Sequence, residues 1–128
     1  MNVENSFYSK IKGFSVGENH HLALNGVDLV DLAELSERPI YVFNELALRD
    51  NLRAYRRALE QFYPKPSGLF YASKAFLNSA MCAVLNQEEV GIDVCSEGEL
   101  FIAQQTKIPS EKIVTVHLPP QVLPQYIN

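Results

Sequence analysis

Leu69-Phe70-Tyr71-Ala72-Ser73-Lys74-Ala75-Phe76 is a short apolar run, bounded upstream by Pro64, Pro66 and Gly68 and downstream by Asn78-Ser79. That length between such breakers predicts a buried strand rather than a helix. Side chains alternate along a strand, so Phe70, Ala72 and Lys74 share one face while Tyr71, Ser73 and Ala75 share the other. A lysine near the C-terminal end of a buried strand is costly unless it pairs, gives up its proton or reacts. In parallel α/β architectures that end of the strand is where ligand sites lie. On periodicity alone Lys74 has two readings: an ordinary snorkelling lysine at a strand exit, or a reactive amine.

Downstream, Asn78 can cap a helix with Leu77, Met81, Val84 and Leu85 along one side, ending around Glu88-Glu89. Met81 and Cys82 read as packing residues. Val90-Gly91-Ile92-Asp93-Val94-Cys95 is a second β run, with Ile92 and Val94 on one face and Asp93 and Cys95 on the other. Ser96-Glu97-Gly98-Glu99 forms a capping box, the Ser96 hydroxyl serving the Glu99 amide and the Glu99 carboxylate reaching back. A helix over about 97–106 follows, packing through Leu100 and Ala103. After the turn Pro109-Ser110-Glu111-Lys112, Ile113-Val114-Thr115-Val116 is a third strand.

Upstream, Asn44 caps a helix over about 45–63, and Glu45 in its first turn complements the helix dipole. Leu48, Leu52, Tyr55, Leu59 and Phe62 recur at helical steps and form one apolar stripe, and Pro64 and Pro66 stop the helix. Ile40-Tyr41-Val42-Phe43 is expected to be a strand. Asp28 to Leu35 reads as a short helix ending before Pro39, and Asn25-Gly26 as a turn. Gly13-Phe14-Ser15-Val16 and His21-Leu22-Ala23-Leu24 could be two strands around Gly17-Glu18-Asn19. His20-His21 would point to opposite faces, with no carboxylate or third histidine suitably spaced, so no metal site is expected.

From residue 45 onward the order is helix, strand, helix, strand, helix, strand. Such alternation implies an α/β fold with parallel strands and crossover helices. The 128 residues, 47% of them hydrophobic, can bury a real core. A net charge of −4, with Arg53, Arg56 and Arg57 set among Asp50 and Glu60, gives no basic patch and argues against nucleic acid. No run of about 18 apolar residues suggests a membrane span. The start lacks the pattern of a secretion signal. Cys82 and Cys95 form no metal or disulfide spacing, which fits reduced thiols and a cytoplasmic location.

Four segments in order resemble one family. Tyr71-Ala72-Ser73-Lys74-Ala75 is similar to the cofactor strand of the fold-type III pyridoxal 5′-phosphate decarboxylases, the alanine-racemase-like (β/α)8 barrels. Gly91-Ile92-Asp93-Val94-Cys95-Ser96-Glu97-Gly98-Glu99-Leu100 resembles the family's Gly-x-Asp-x-x-Ser-x-Gly-Glu-Leu. Pro109-Ser110-Glu111-Lys112-Ile113-Val114 resembles the approach to barrel strand three, and Ile40-Tyr41-Val42-Phe43-Asn44-Glu45 the approach to the first helix. The resemblance implies that the chain carries the first three βα units of a pyridoxal-phosphate-binding, TIM-like (β/α)8 barrel. A short β segment belonging to the family's C-terminal β-domain would precede them. On this reading residues 1–39 form a β-rich segment with a short helix, 40–117 a partial barrel, and 118–128 an aberrant proline-rich tail.

Carried onto this sequence, the resemblance makes Lys74 the catalytic residue, its ε-nitrogen bonded to the cofactor aldehyde, with Lys74, Asp93 and Ser96 as cofactor-binding residues. Asp93 could equally be a structural partner, and Ser96 and Glu99 have their capping role. Where the family has Asn after Lys-Ala, this chain has Phe76. The Ser-x-Gly-Glu-Leu form is most similar to the branch that decarboxylates meso-diaminopimelate to L-lysine. Decarboxylases of arginine, ornithine and carboxynorspermidine are the neighbouring alternatives. The implied partners are a small amino-acid substrate and a second copy in a homodimer. The family's glycine-rich phosphate loop, its acidic partner for the pyridine nitrogen and its Cys-Glu-Ser motif have no counterpart here, since Cys95 lies in another motif. The chain is therefore expected to be a fragment, inactive alone. A non-catalytic binding module or a regulatory fragment pairing with a full-length homologue remain the other readings.

Overall fold

The computed structural model of the chain describes residues 11–63, 65–115 and 118. The chain divides into two compact units, Met1–Asp50 and Asn51–Asn128.

The larger unit is built on three parallel strands in the order β4 (Phe70–Ala72), β5 (Gly91–Val94) and β6 (Ile113–Thr115). Phe70 pairs with Gly91, Ala72 with Asp93, and Asp93 in turn with Val114. The helices α3 (Ser79–Gln87) and α4 (Glu97–Gln104) connect them and both pack on the central strand β5. The helix-covered face of β5 presents Ile92 and Val94, which are fully buried with Val90, Leu85, Cys82 and Ala103. Burying whole aliphatic side chains is the main favourable contribution to such a unit. The alternation expected for β5 is therefore observed, and so is the parallel α/β order.

Both helices start where a side chain satisfies an amide that the helix itself leaves open. The Asn78 carbonyl oxygen accepts from the Met81 amide at 2.8 Å, and the Ser96 hydroxyl from the Glu99 amide at 3.3 Å. Earlier in the chain, α2 (Glu45–Phe62) begins behind Asn44, whose side-chain oxygen accepts from the Ala47 amide at 2.9 Å. Within the larger unit, Arg53 of α2 forms a two-pronged ion pair with the buried Glu88 just past the end of α3, at 3.0 and 2.6 Å.

The smaller unit holds an antiparallel sheet, β1 (Phe14–Val16), β2 (Leu22–Leu24) and β3 (Val27–Asp28), in sequential order. Asn25 and Gly26, at φ 50° and 82°, close the β2–β3 hairpin across the Leu24–Val27 pair. Two successive left-handed residues are what a two-residue hairpin loop needs, and Asn-Gly supplies them. Asp28 then caps α1 (Leu29–Glu34), accepting from the amides of Val30 and Asp31.

Three expectations are corrected. Ile40-Tyr41-Val42-Phe43 is not a strand: it joins neither sheet, and all four side chains are exposed. β-propensity makes no strand without a ladder to join. The run Leu69–Phe76 is a strand only over Phe70–Ala72; Ser73–Ala75 turns into a single 3₁₀ turn. The stripe on α2 is only partly covered, with Leu52 buried but Tyr55 and Phe62 exposed. The last helix closes at Gln104. The expectations resting on Pro64, Val116 and His117, and nearly all of the 118–128 tail, fall outside the described residues.

Candidate functional site

The C-terminal ends of β4 and β5 carry the residues with chemical capacity. β4 ends at Ala72, and the chain then turns through Ser73, Lys74 and Ala75. Ser73 is on the covered side, 2% exposed, whereas Lys74 in the same turn is exposed. This corrects the picture of a buried strand lysine: the strand has ended, so the ammonium keeps its water and needs no internal counter-charge.

Two anchors fix that turn. The Ser73 hydroxyl lies 2.8 Å from the Asp93 carbonyl oxygen and 2.5 Å from the Glu99 carboxylate. On the far side, the Tyr71 hydroxyl donates to the Phe76 carbonyl at 2.9 Å. Burial pushes the Tyr71 phenol above its ordinary value, partly offset by that bond, so it stays protonated and donates at neutral pH.

Glu99 is the hub of the covered side. The capping box is present: Ser96 serves the Glu99 amide and the Glu99 carboxylate reaches back to the Ser96 backbone. That carboxylate also takes the Cys95 amide, at 2.7 Å, and the Ser73 hydroxyl. Burial raises its pKa, but the bonds from Ser73, the Cys95 amide and Ser96 outweigh that and hold the carboxyl below its ordinary range. It is therefore an anion at the N-terminus of α4, where the helix dipole favours one.

Asp93 lies on the other face of β5, in register with Ala72 and Val114. Its Oδ1 is buried and has no hydrogen-bond partner among the described residues. A buried acceptor left so is destabilising until a donor reaches it. Lys74, Asp93 and Ser96 are thus all placed on one rim of the sheet, as the alternation of β5 and the length of β4 require. Ser73 and its link to Glu99 had no local signal, because the partners are 20 and 26 residues away. Cys82 is fully buried and its thiol pushed up by that burial, so it is a packing residue and no nucleophile.

In the smaller unit, the hairpin brings a carboxylate to His21 that spacing alone did not suggest. His21 Nδ1 lies 2.9 Å from Asp28 Oδ2, and Asp31 completes a group of three ligand-type side chains. The oxygens of Asp28 already accept from Val30, Asp31, Asn19 and His21. Those bonds, the Asn19 amide first, hold its carboxyl at about 2. The arrangement is a helix cap with its acceptors filled.

A lysine amine thus lies just past the C-terminal end of one parallel strand, with a carboxylate on its neighbour. The chain belongs to the pyridoxal-dependent decarboxylase family: residues 48–121 match its pyridoxal-binding domain. Among its relatives, the diaminopimelate decarboxylase of Methanothermobacter thermautotrophicus is 35% identical over 99 residues, 77% of this chain and 23% of that enzyme. The diaminopimelate decarboxylase of Bacillus methanolicus is 35% identical over 98 residues, 77% of this chain and 22% of the enzyme. The crystal structure of the M. jannaschii diaminopimelate decarboxylase with L-lysine superposes with a TM-score of 0.70 at 32% identity, covering 81% of this chain and 24% of that one. A structure from Aquifex aeolicus gives 0.74 at 30% identity over 90% and 28%. The chain thus spans 23% of the length of the first of these relatives. Among the described residues no helix is long and apolar enough to cross a membrane.

Proposed function

We propose that this chain supplies the lysine-bearing part of a cytoplasmic, pyridoxal-phosphate-dependent decarboxylase that converts meso-diaminopimelate to L-lysine. The observation carrying this reading is an exposed lysine amine at the C-terminal rim of a parallel sheet, with the unsatisfied Asp93 oxygen on the same rim. Both lie within the segment that matches a pyridoxal-binding domain. The diaminopimelate branch is favoured over arginine, ornithine and carboxynorspermidine because the relatives compared carry that name. In this reading the parallel unit contributes the first βα units of a (β/α)8 barrel within residues 40–117. The β1–β3 sheet belongs with the β-domain, and the whole enzyme is a homodimer.

The residues on the rim suit the cofactor. Lys74 would hold it covalently, since a neutral lysine amine is the nucleophile an aldehyde captures. Asp93 would offer its open oxygen to a protonated nitrogen, the donor that atom lacks. Ser96, which accepts from the Glu99 amide, stands at a helix N-terminus suited to an anionic group. When bound, pyridoxal phosphate supplies the electron sink that makes loss of an α-carboxylate feasible. The chain's own contribution is to present the Lys74 amine, offer the Asp93 carboxyl, and steady the turn between them.

The test is to incubate the chain with pyridoxal phosphate, reduce with borohydride, digest, and locate the modified peptide by mass. Modification concentrated on Lys74 is the expected result. Equal modification of Lys12, Lys65, Lys107 and Lys112 would reject the assignment.

A further inference from the structure

We propose that Ser73 and Glu99 are positioning residues for Lys74: a hydroxyl-to-carboxylate latch that fixes the turn from which the lysine amine projects. The inference rests on the cofactor reading above and adds to it two residues that touch neither substrate nor cofactor.

The argument starts from one proton and two acceptors. The Ser73 hydroxyl has a single hydrogen, and both the Asp93 carbonyl and the Glu99 carboxylate lie within reach. The carboxylate is nearer and charged, and a 2.5 Å separation is what a hydroxyl donating to an anion shows. Ser73 is almost wholly buried, so no water can take over if the carboxylate leaves. Glu99 is itself held in place by the Cys95 amide and by its own amide bond to Ser96. The chain of contacts therefore runs from the head of α4, through the exit of β5, to the turn at the exit of β4. Both candidate cofactor residues contributed by β5 and its exit, Asp93 and Ser96, belong to the same network through their backbone carbonyl and hydroxyl respectively.

The position of Ser73 just past β4 explains why it can do this: it opens the 3₁₀ turn on the covered side, while Lys74, next in the same turn, is exposed. Pinning the covered side chain leaves its neighbour no freedom to rotate inward. Tyr71 clamps the far end of the turn through the Phe76 carbonyl, so the turn that carries Lys74 is fixed at both ends. A preorganised amine loses less freedom when it bonds an aldehyde, and so reacts more readily.

The experiment compares borohydride trapping of pyridoxal phosphate on Lys74 in the full 128-residue chain and in Ser73→Ala, Ser73→Thr and Glu99→Gln. Circular dichroism and thermal melting are recorded for each. The latch predicts that Ser73→Ala, which removes the donor, traps Lys74 roughly tenfold more slowly, the smallest factor a hydrogen bond to a charged group is worth. Glu99→Gln, which keeps an acceptor oxygen but no charge, slows trapping by a smaller factor. Ser73→Thr, which keeps the hydroxyl, restores most of the rate. A purely structural Ser73 would lower the melting temperature and leave trapping by the folded protein unchanged, and that result overturns the latch while sparing the role of Lys74. Absence of trapping on Lys74 in the wild type overturns both. Should Ser73→Ala fail to fold, Glu99→Gln decides by the same readout, because it keeps the volume and an acceptor oxygen.

Discussion

The two faces of the β4–β5–β6 sheet differ in what they are made to do. On the helix-covered face Ile92 and Val94 are fully buried, and even the polar Ser73 is closed off and hydrogen-bonded. On the other face Phe70 is 44% exposed, Val114 39% exposed, and the Asp93 oxygen lacks a donor. One face holds the unit together, and the other keeps side chains available. The period of two in a strand lets adjacent residues serve these opposite purposes, as Ile92 and Asp93 do in β5.

If that division is right, equal truncations on the two faces have unequal costs. Ile92→Ala is expected to cost about 2–5 kcal/mol in denaturant unfolding, since it empties a site enclosed by α3 and α4. Phe70→Ala on the open face should cost under about 1 kcal/mol, and similar losses for both would erase the distinction. A second test sits where the faces meet the strand spacing. A Cβ on Gly91 would come within 2.5 Å of the Phe70 ring and 2.9 Å of the Lys112 carbonyl. Gly91→Ala should therefore cost about 1–3 kcal/mol through overpacking. Adding Phe70→Ala should return only part of it, because the carbonyl belongs to the backbone.

Smaller effects come from the helix starts. Asn78→Ala removes the acceptor for the Met81 amide and should cost about 1 kcal/mol. In the other unit the cap is also a titrating group. Asp28 sits at about 2 against an ordinary 3.8. A carboxyl with a depressed folded value contributes stability that is complete above its unfolded value and disappears as pH falls through the folded one. Its contribution is thus lost between pH 3.8 and about 2. Asp28→Asn, which can still cap α1, should flatten the stability curve in that window, read by urea unfolding at several pH values. Glu99 obeys the same sign from 4.5 downward, so Glu99→Gln should flatten a further part of the acid arm.

Much of this was legible in the sequence because the causes are local. Asn44, Asn78 and Ser96 each satisfy an amide three residues on, and Asn25-Gly26 needs nothing beyond its own φ angles. The buried face of β5 was legible from alternation, and the family from the resemblance of four segments. What was not legible depends on distant partners. Ile40–Phe43 has strand composition, but a strand is a property of a pair. The turn that exposes Lys74 depends on Asp93 and Glu99, and the carboxylate near His21 depends on a hairpin. Spacing along the chain records neither.

The claim that matters most is that the Lys74 amine is where the cofactor attaches, and one titration addresses it directly. Pyridoxal phosphate added to the wild-type chain and to Lys74→Ala is followed by visible absorption of the bound cofactor, with circular dichroism to show that both are folded. The account predicts a saturable new band in the wild type and none in the variant. An identical band in folded Lys74→Ala would contradict it.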